Sequence, residues 1–375
     1  NCLTVGTVMR PITDRQKITR AKLAYIIDAT AAPVCIIAPI SSWAAAVTSS
    51  LPEDANINGF SLFLQTIPFN FYALFTLAFL IWICATDIDF FTMAKYNKHV
   101  EKSGKIDSNE EESTVIVGCG TVKDLLIPIF FLIISCITAM YYSGGGFEGV
   151  GIVDAFANCS AADALVLGSF VALVFTFLMY VPRKILTFGQ FCESFTEGFK
   201  AMVPAIFILT LAWTLSGICS EDYLDLRGFV SSHIHGDAAI SMFLPAIFFL
   251  IALGIAFATG TSWGTFGILI PIAFSIFGTD VMLTITVSAC LSGAVCGDHI
   301  SPISDTTILA SAGAQCKHIN HVSTQIPYAV SVAVICFISY IAAGITQNGF
   351  IGLILGAILL VTFAVFITIK CKKKI

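Results

Sequence analysis

Charge is what this sequence has least of. Asp, Glu, Lys and Arg make up 11% of its 375 residues, where a soluble globular domain carries about 25%, and that shortage excludes a water-soluble fold. No hydrophilic stretch is long enough to be a soluble catalytic domain. The 13 cysteines never fall in C-x-x-C, and most, such as Cys35, Cys136 and Cys290, sit in apolar runs, where they read as small buried hydrophobes. Cys159 and Cys219 lie in predicted outer loops and are placed to pair, although spacing alone spells no disulfide framework. There is no initiator methionine and no signal-like basic start; Asn1 opens directly into apolar sequence, which predicts an upstream portion.

What is present is apolar sequence from end to end. Hydrophobic residues make up 57% of the chain and the mean hydropathy is +0.90. Runs near the ~20 residues that cross a bilayer predict an all-α polytopic membrane protein of about ten transmembrane helices. The crossings are expected at residues 23–47, 63–85, 125–142, 164–182, 201–219, 240–258, 259–277, 281–297, 326–345 and 350–369. Basic residues then set the orientation. Arg10 to Lys22 holds five, Lys95 to Lys123 five more, and Arg183, Lys184, Lys200, Lys317 and the lysines from Lys370 to Lys374 fall in alternate loops. Of 19 basic residues, 18 lie on that side and Arg227 alone on the other, beside Glu53, Asp54, Glu148, Asp154, Glu221, Asp222, Asp225 and Asp237. The basic side, with the C-terminus, is predicted cytoplasmic, in a prokaryotic plasma membrane.

The hydrophilic stretch 95–123 divides the chain into an N-terminal repeat portion, 1–94, and a C-terminal membrane portion, 124–375, holding a second repeat. The stretch itself reads as a solvated loop, with regulation as an alternative. The first copy of the repeat is Thr4-Val5-Gly6, Pro11, then Asp28 before Pro33; the second is Thr265-Phe266-Gly267, Pro271, then Asp298 before Pro302. On the predicted topology the copies run in opposite directions. Inverted repeats with helices interrupted by Gly and Pro are how secondary transporters place a site near the midplane, because a broken helix frees carbonyls and amides that need partners.

Three segments carry the candidate chemistry. Residues 260–267 hold three glycines with Thr261, Ser262 and Thr265, and read either as an unwound site or as a small-residue packing seam. Residues 297–307 hold Asp298, His299, Ser301, Ser304, Asp305, Thr306 and Thr307. One aspartate at a helix centre costs about 2.5–3.5 kcal/mol on insertion scales, so this is either a paired intramembrane cluster or a loop beyond Gly297. Asp28, followed by Thr30, Pro33 and Pro39, predicts a broken helix with a carboxylate beside freed carbonyls, or a residue reaching the interface. His233, His235 and Asp237 form H-x-H-x-D in an outer loop and read as a polar turn rather than a metal site. His318 and His321 read as surface residues. Glu193 and Glu197 are four apart, on one face of an amphipathic helix or on a proton path.

The strings 1–11, 28–43, 260–267 and 297–307 resemble the NhaC-type sodium/proton antiporters of the ion transporter superfamily, over nearly the whole chain. The resemblance implies sodium/proton exchange, and a further N-terminal section with an acidic pair ahead of the position of Asn1. Relatives in that superfamily move carboxylates or amino acids, which makes sodium- or proton-coupled transport of a small organic acid the alternative. The expected partners are Na⁺, protons and the lipid bilayer, with a homodimer allowed, no nucleic acid and no cofactor. The expected mechanism is competition of Na⁺ and H⁺ for Asp298, Asp305 and Asp28, with desolvation favouring the proton. Asp298 and Asp305 are the predicted Na⁺ ligands, and Thr30, Thr261, Ser262, Ser301 and Ser304 complete an oxygen shell. A third reading, an intramembrane hydrolase, would use Ser301 or Ser304 with His299.

Overall fold

The computed structural model describes residues 2–39, 41–51, 58–103, 120–151, 155–156, 159–218, 223–224, 238–278 and 280–372, and among them every regular element is helical. The predicted all-α architecture is therefore what the chain adopts. Seven of the described helices are long and apolar enough to cross a membrane, and two shorter apolar helices accompany them. Wide apolar faces point outward, with Val166, Phe170, Phe130 and Val361 among the exposed side chains. This pattern suits lipid contact and marks an integral membrane protein.

Two compact units form, and each takes its residues from separate stretches of chain. One comprises residues 38–64 and 113–211. Its α8 (Val122–Ser143) and α9 (Ala161–Tyr180) pack as a hairpin. Gly168 makes this possible, since a Cβ there would come within 2.6 Å of the Cys136 Cα; Phe131 stacks on Phe175 at 3.9 Å between ring centroids. At one end Asp124 is held by the Thr121 backbone N–H and hydroxyl, each at 2.8 Å, and by Arg183, while Tyr180 donates to the Asp124 carbonyl at 2.6 Å.

The other unit comprises residues 1–37, 65–112 and 212–375. Its centre is α13 (Val281–Ile300), buried along nearly its whole length. It packs against α11 (Ala238–Thr259) through Gly293 and Gly297, four apart on one face, where a Cβ would lie 2.3 Å from the carbonyl oxygens of Phe249 and Leu253 respectively. Around it stand α1 (Cys2–Arg15), α2 (Arg20–Ala29), α6 (Phe71–Thr86), α12 (Ser262–Phe277), α14 (Asp305–Ala314), α15 (His318–Thr346) and α16 (Gly349–Lys372).

Several predicted crossings are not single helices. Residues 23–47 form α2, the four-residue α3 (Ala32–Cys35) and α4 (Ser42–Ser49). The ladder stops at Thr30 because Pro33 has no N–H to continue it, and the Thr30 hydroxyl folds back onto the Ile26 carbonyl at 2.8 Å. Residues 63–85 are divided by a 3₁₀ turn, Ile67–Phe69, which separates α5 (Gly59–Thr66) from α6. That break, at Pro68 and the N-cap Asn70, was not among the predicted ones. The unwound stretch expected over 260–267 shrinks to Gly260 and Thr261: Gly260 takes φ +68°, Thr261 is the N-cap, and Ser262 onward is helix, with Pro271 inside α12. Finally, the crossing expected at 326–345 begins at His318, which makes His321 a buried residue and corrects its surface assignment.

The local structure of the two repeat copies is alike. α1 packs on α2 and α12 on α13; α2 and α13 each end within two residues of the aspartate, break, and resume as a short helix, α3 or α14.

Candidate ion-binding site

The carboxylates at the two breaks are almost fully enclosed, Asp28 with 1% and Asp298 with 3% of its surface exposed. Both are therefore enclosed by protein rather than exposed in a loop. Asp298 ends up inside because α13 runs three residues past the predicted boundary, to Ile300, before Ser301 turns the chain. Its Oδ2 accepts a hydrogen bond from Ser262 Oγ at 2.9 Å, across from the first turn of α12. The two interruptions touch: at Gly260 a Cβ would stand 2.8 Å from the Ile303 carbonyl oxygen, so only glycine fits this approach. Ser301 Oγ donates to the Phe257 carbonyl at 2.8 Å and fastens the α13 break to α11.

Asp28 faces α15. Its Oδ2 accepts from Gln325 Nε2 at 2.9 Å and pairs with His321 Nε2 at 3.2 Å. Gln325 Nε2 also donates to the carbonyl of His299, the neighbour of Asp298, so one amide ties both breaks together. The His299 ring pairs through Nδ1 with Tyr72 OH at 2.7 Å and lies parallel to Tyr25. His321, Gln325 and Tyr328 fall at i, i+4 and i+7 of α15 and so share one face. Tyr328 OH continues that face by donating to Asp89 Oδ1 at 2.9 Å; Asp89 in turn binds Lys22 Nζ at 3.1 Å, and Asp87 binds it at 2.6 Å.

Several buried oxygens in this neighbourhood have no hydrogen-bond partner: Asp28 Oδ1, Asp298 Oδ1, Gln325 Oε1 and Thr307 Oγ1. Orphaned acceptors of this kind ask for a cation or a proton. Among the described residues no three His, Cys, Asp or Glu side chains gather to hold a metal ion, and an all-oxygen set with one or two carboxylates suits a hard cation rather than a transition metal.

Not every predicted ligand points here. Asp305 is exposed on the first turn of α14, with Oδ1 accepting from the Thr306 N–H at 2.9 Å. The pair expected to share one ion is thus one buried and one exposed carboxylate. Ser304, fully buried, sets its hydroxyl between Thr306 Oγ1, at 2.9 Å, and the Asp298 carboxylate, while Thr30 and Thr261 cap their own helices. His299 pairs with Tyr72, Ser301 with Phe257 and Ser304 with Thr306, so the base and nucleophile of a hydrolase are not joined. His318 is held by the Pro302 carbonyl, and the exposed Glu197 by Lys200. His233, His235, Asp237 and Cys219 lie outside the described residues. Gln325 and Tyr72, which reasoning from the sequence did not select, are the additions; the i, i+4, i+7 polar spacing ahead of an apolar helix was the available signal for the former.

Comparison with known proteins agrees with an exchanger. The Na⁺/H⁺ antiporter family profile matches residues 34–345. An uncharacterised protein of Haemophilus influenzae is 38% identical over 96% of this chain and 70% of its own. A malate-2H⁺/Na⁺-lactate antiporter of Bacillus subtilis is 28% identical over 49% of this chain and 43% of its own, and an uncharacterised Na⁺/H⁺ antiporter of H. influenzae 31% identical over 35% of this chain and 28% of its own. No solved structure matches. With buried acidic residues at paired helix breaks and a match spanning most of its length, the chain belongs to the Na⁺/H⁺ antiporter family.

Proposed function

We propose that this protein exchanges Na⁺ for H⁺ by letting the two compete for Asp298 and Asp28. The observation that carries the reading is that each of these buried carboxylates has one oxygen bonded and the other without a partner. A carboxylate enclosed in low dielectric needs its charge matched. Na⁺ or H⁺ can do so, and both together cannot. Ser262 orients Asp298, Gln325 and His321 orient Asp28, and the free oxygens of Thr307 and Gln325 replace part of the hydration shell of the ion. Asp305, exposed beside Ser304, suits first capture of the hydrated ion. The inverted repeats rock about these breaks, with the lysine-rich C-terminus on the cytoplasmic side of a prokaryotic plasma membrane.

The test is a pH-gradient assay in proteoliposomes holding the full-length protein. Na⁺ added against an imposed gradient collapses it, choline does not, and Asp298→Asn inserts normally without exchanging. If no cation collapses the gradient, or if Asp298→Asn exchanges like wild type, the reading fails.

A second reading, coupled transport of a small organic acid, is favoured by the malate-2H⁺/Na⁺-lactate antiporter among the relatives. Sodium uptake that depends on an added carboxylate distinguishes it.

A further inference from the structure

The interruption ahead of α6 has a chemistry that sodium/proton exchange does not use. Between α5 and α6 the chain makes the 3₁₀ turn Ile67–Phe69, and Asn70 caps a 16-residue helix. Three of the freed carbonyls have partners: Ser288 Oγ donates to Thr66 O at 3.1 Å, the Asn70 N–H to Ile67 O at 3.2 Å, and Tyr340 OH lies 2.8 Å from Phe69 O. The donors are held less closely: the backbone N–H groups of Phe71 and Tyr72 donate to the hydroxyl oxygens of Tyr340 and Ser292 at 3.4 Å each, longer than the usual 2.7–3.2 Å of N–H···O bonds.

Asn70 adds the decisive group. Its Oδ1 accepts from the Ala73 N–H at 3.2 Å and from Ser292 Oγ at 2.8 Å. A backbone N–H can only donate, so the amide orientation is fixed by chemistry rather than chosen. Nδ2 then keeps two N–H donors without a partner on a residue that is 1% exposed. Because Nδ2 shares a carbon with the capping oxygen, it lies over the same helix end, where the helix dipole is positive. Surplus buried donors at a positive helix end are matched by a ligand that brings acceptor oxygens and negative charge. A cation would meet N–H groups instead.

We propose that this end of α6 binds the carboxylate group of a small organic acid. Asn70 Nδ2 and the Phe71 and Tyr72 N–H groups form the cradle, and the hydroxyls of Tyr340 and Ser292, now turned to protein acceptors, turn to the ligand. No acidic side chain belongs to the cluster. Ser292 and Asp298 are six residues apart on α13, about 9 Å along the helix, so a carboxylate in the cradle and a sodium ion at Asp298 attract one another across a short, dry distance.

The test uses the full-length protein and equilibrium binding of radiolabelled lactate, malate and glutamate in sodium chloride. Asn70→Asp keeps the oxygen that caps Ala73 and replaces the free donor with negative charge; Asn70→Ser keeps a capping hydroxyl and only removes the donor. Wild type binds at least one of the three acids. Asn70→Asp weakens that binding at least about a hundredfold, Asn70→Ser and Tyr340→Phe each about tenfold, and sodium-driven collapse of a pH gradient with chloride as the sole anion is unchanged in all. Three results overturn the proposal: wild type binding none of the acids while its Na⁺/H⁺ exchange is intact, Asn70→Asp binding as wild type does, or Asn70→Asp tightening sodium binding, which would make the cluster a cation site. Loss of Na⁺/H⁺ exchange in wild type would instead count against the ion mechanism and leave the binding result to stand by itself.

Discussion

The membrane span of α8, Leu126–Ser143, is the more apolar of two helices yet has 17% of its residues buried, whereas that of α13, Val281–Ile300, has 89% buried and carries a run of Thr, Ser, Asp and His. In water the order would be reversed. A membrane helix that faces lipid must be apolar on its outside, while one surrounded by protein can keep polar groups so long as each finds a partner or a ligand. The two helices therefore answer mutation differently, and the contrast can be pressed from both sides.

The largest effect is expected inside. Asp298→Asn removes the charge that a sodium ion would match, and exchange should fall by at least about a hundredfold in the gradient assay while membrane insertion is kept. Next comes Gly297→Ala, whose added carbon would lie 2.3 Å from the Leu253 carbonyl. Overpacking of that kind costs about 1–3 kcal/mol, read as a lower melting temperature in detergent; wild-type melting would mean that α11 and α13 slide apart freely.

On the α8 side, the effect depends on pH. Bonds from the Thr121 N–H and hydroxyl, then from Arg183, lower the Asp124 carboxyl from 3.8 to about 2. A lowered carboxylate stabilises the folded form above its unfolded value and loses that contribution as pH falls through the folded one. The hairpin should thus loosen between about pH 4 and pH 2, and Asp124→Asn should remove this pH dependence, as followed by labelling of Cys136. The smallest effect is expected for Val166→Leu on the exposed face of α9, within about 0.5 kcal/mol of wild type. A larger loss there would show that this face is covered by protein.

Hydropathy made the spans legible, and the two aspartates stood out because ionised groups are rare in such runs. Position within a run was harder. The ladder at 260–267 looked open because glycine and hydroxyl residues mark both a break and a tight seam. Here the break is confined to Gly260 and Thr261, and Ser262 to Gly267 are helix. Pro68 and Asn70 went unmarked amid Phe and Leu, although an Asn directly ahead of an apolar helical run is a helix start signal. His321 and Gln325 were obscured for a different reason. The stretch from His318 to Gln325 is polar enough to pass for loop, and its inward partners, the Asp28 carboxylate nearly three hundred residues away and the His299 carbonyl, are distant in sequence.

Lys22 and Asp28 lie on one short rod. α2 is clamped near its start, where Lys22 grips Asp87 and Asp89, and near its end, where Asp28 meets α15; Tyr328 carries α15 back to the same Asp89. A beam pinned at two points cannot swing about either. Motion that passes through this helix has to be taken up beyond the second pin, at Thr30 and Ala31, where the ladder is already open. The clamp thus leaves the break after α2, rather than the rod itself, as the place where this stretch of chain can bend.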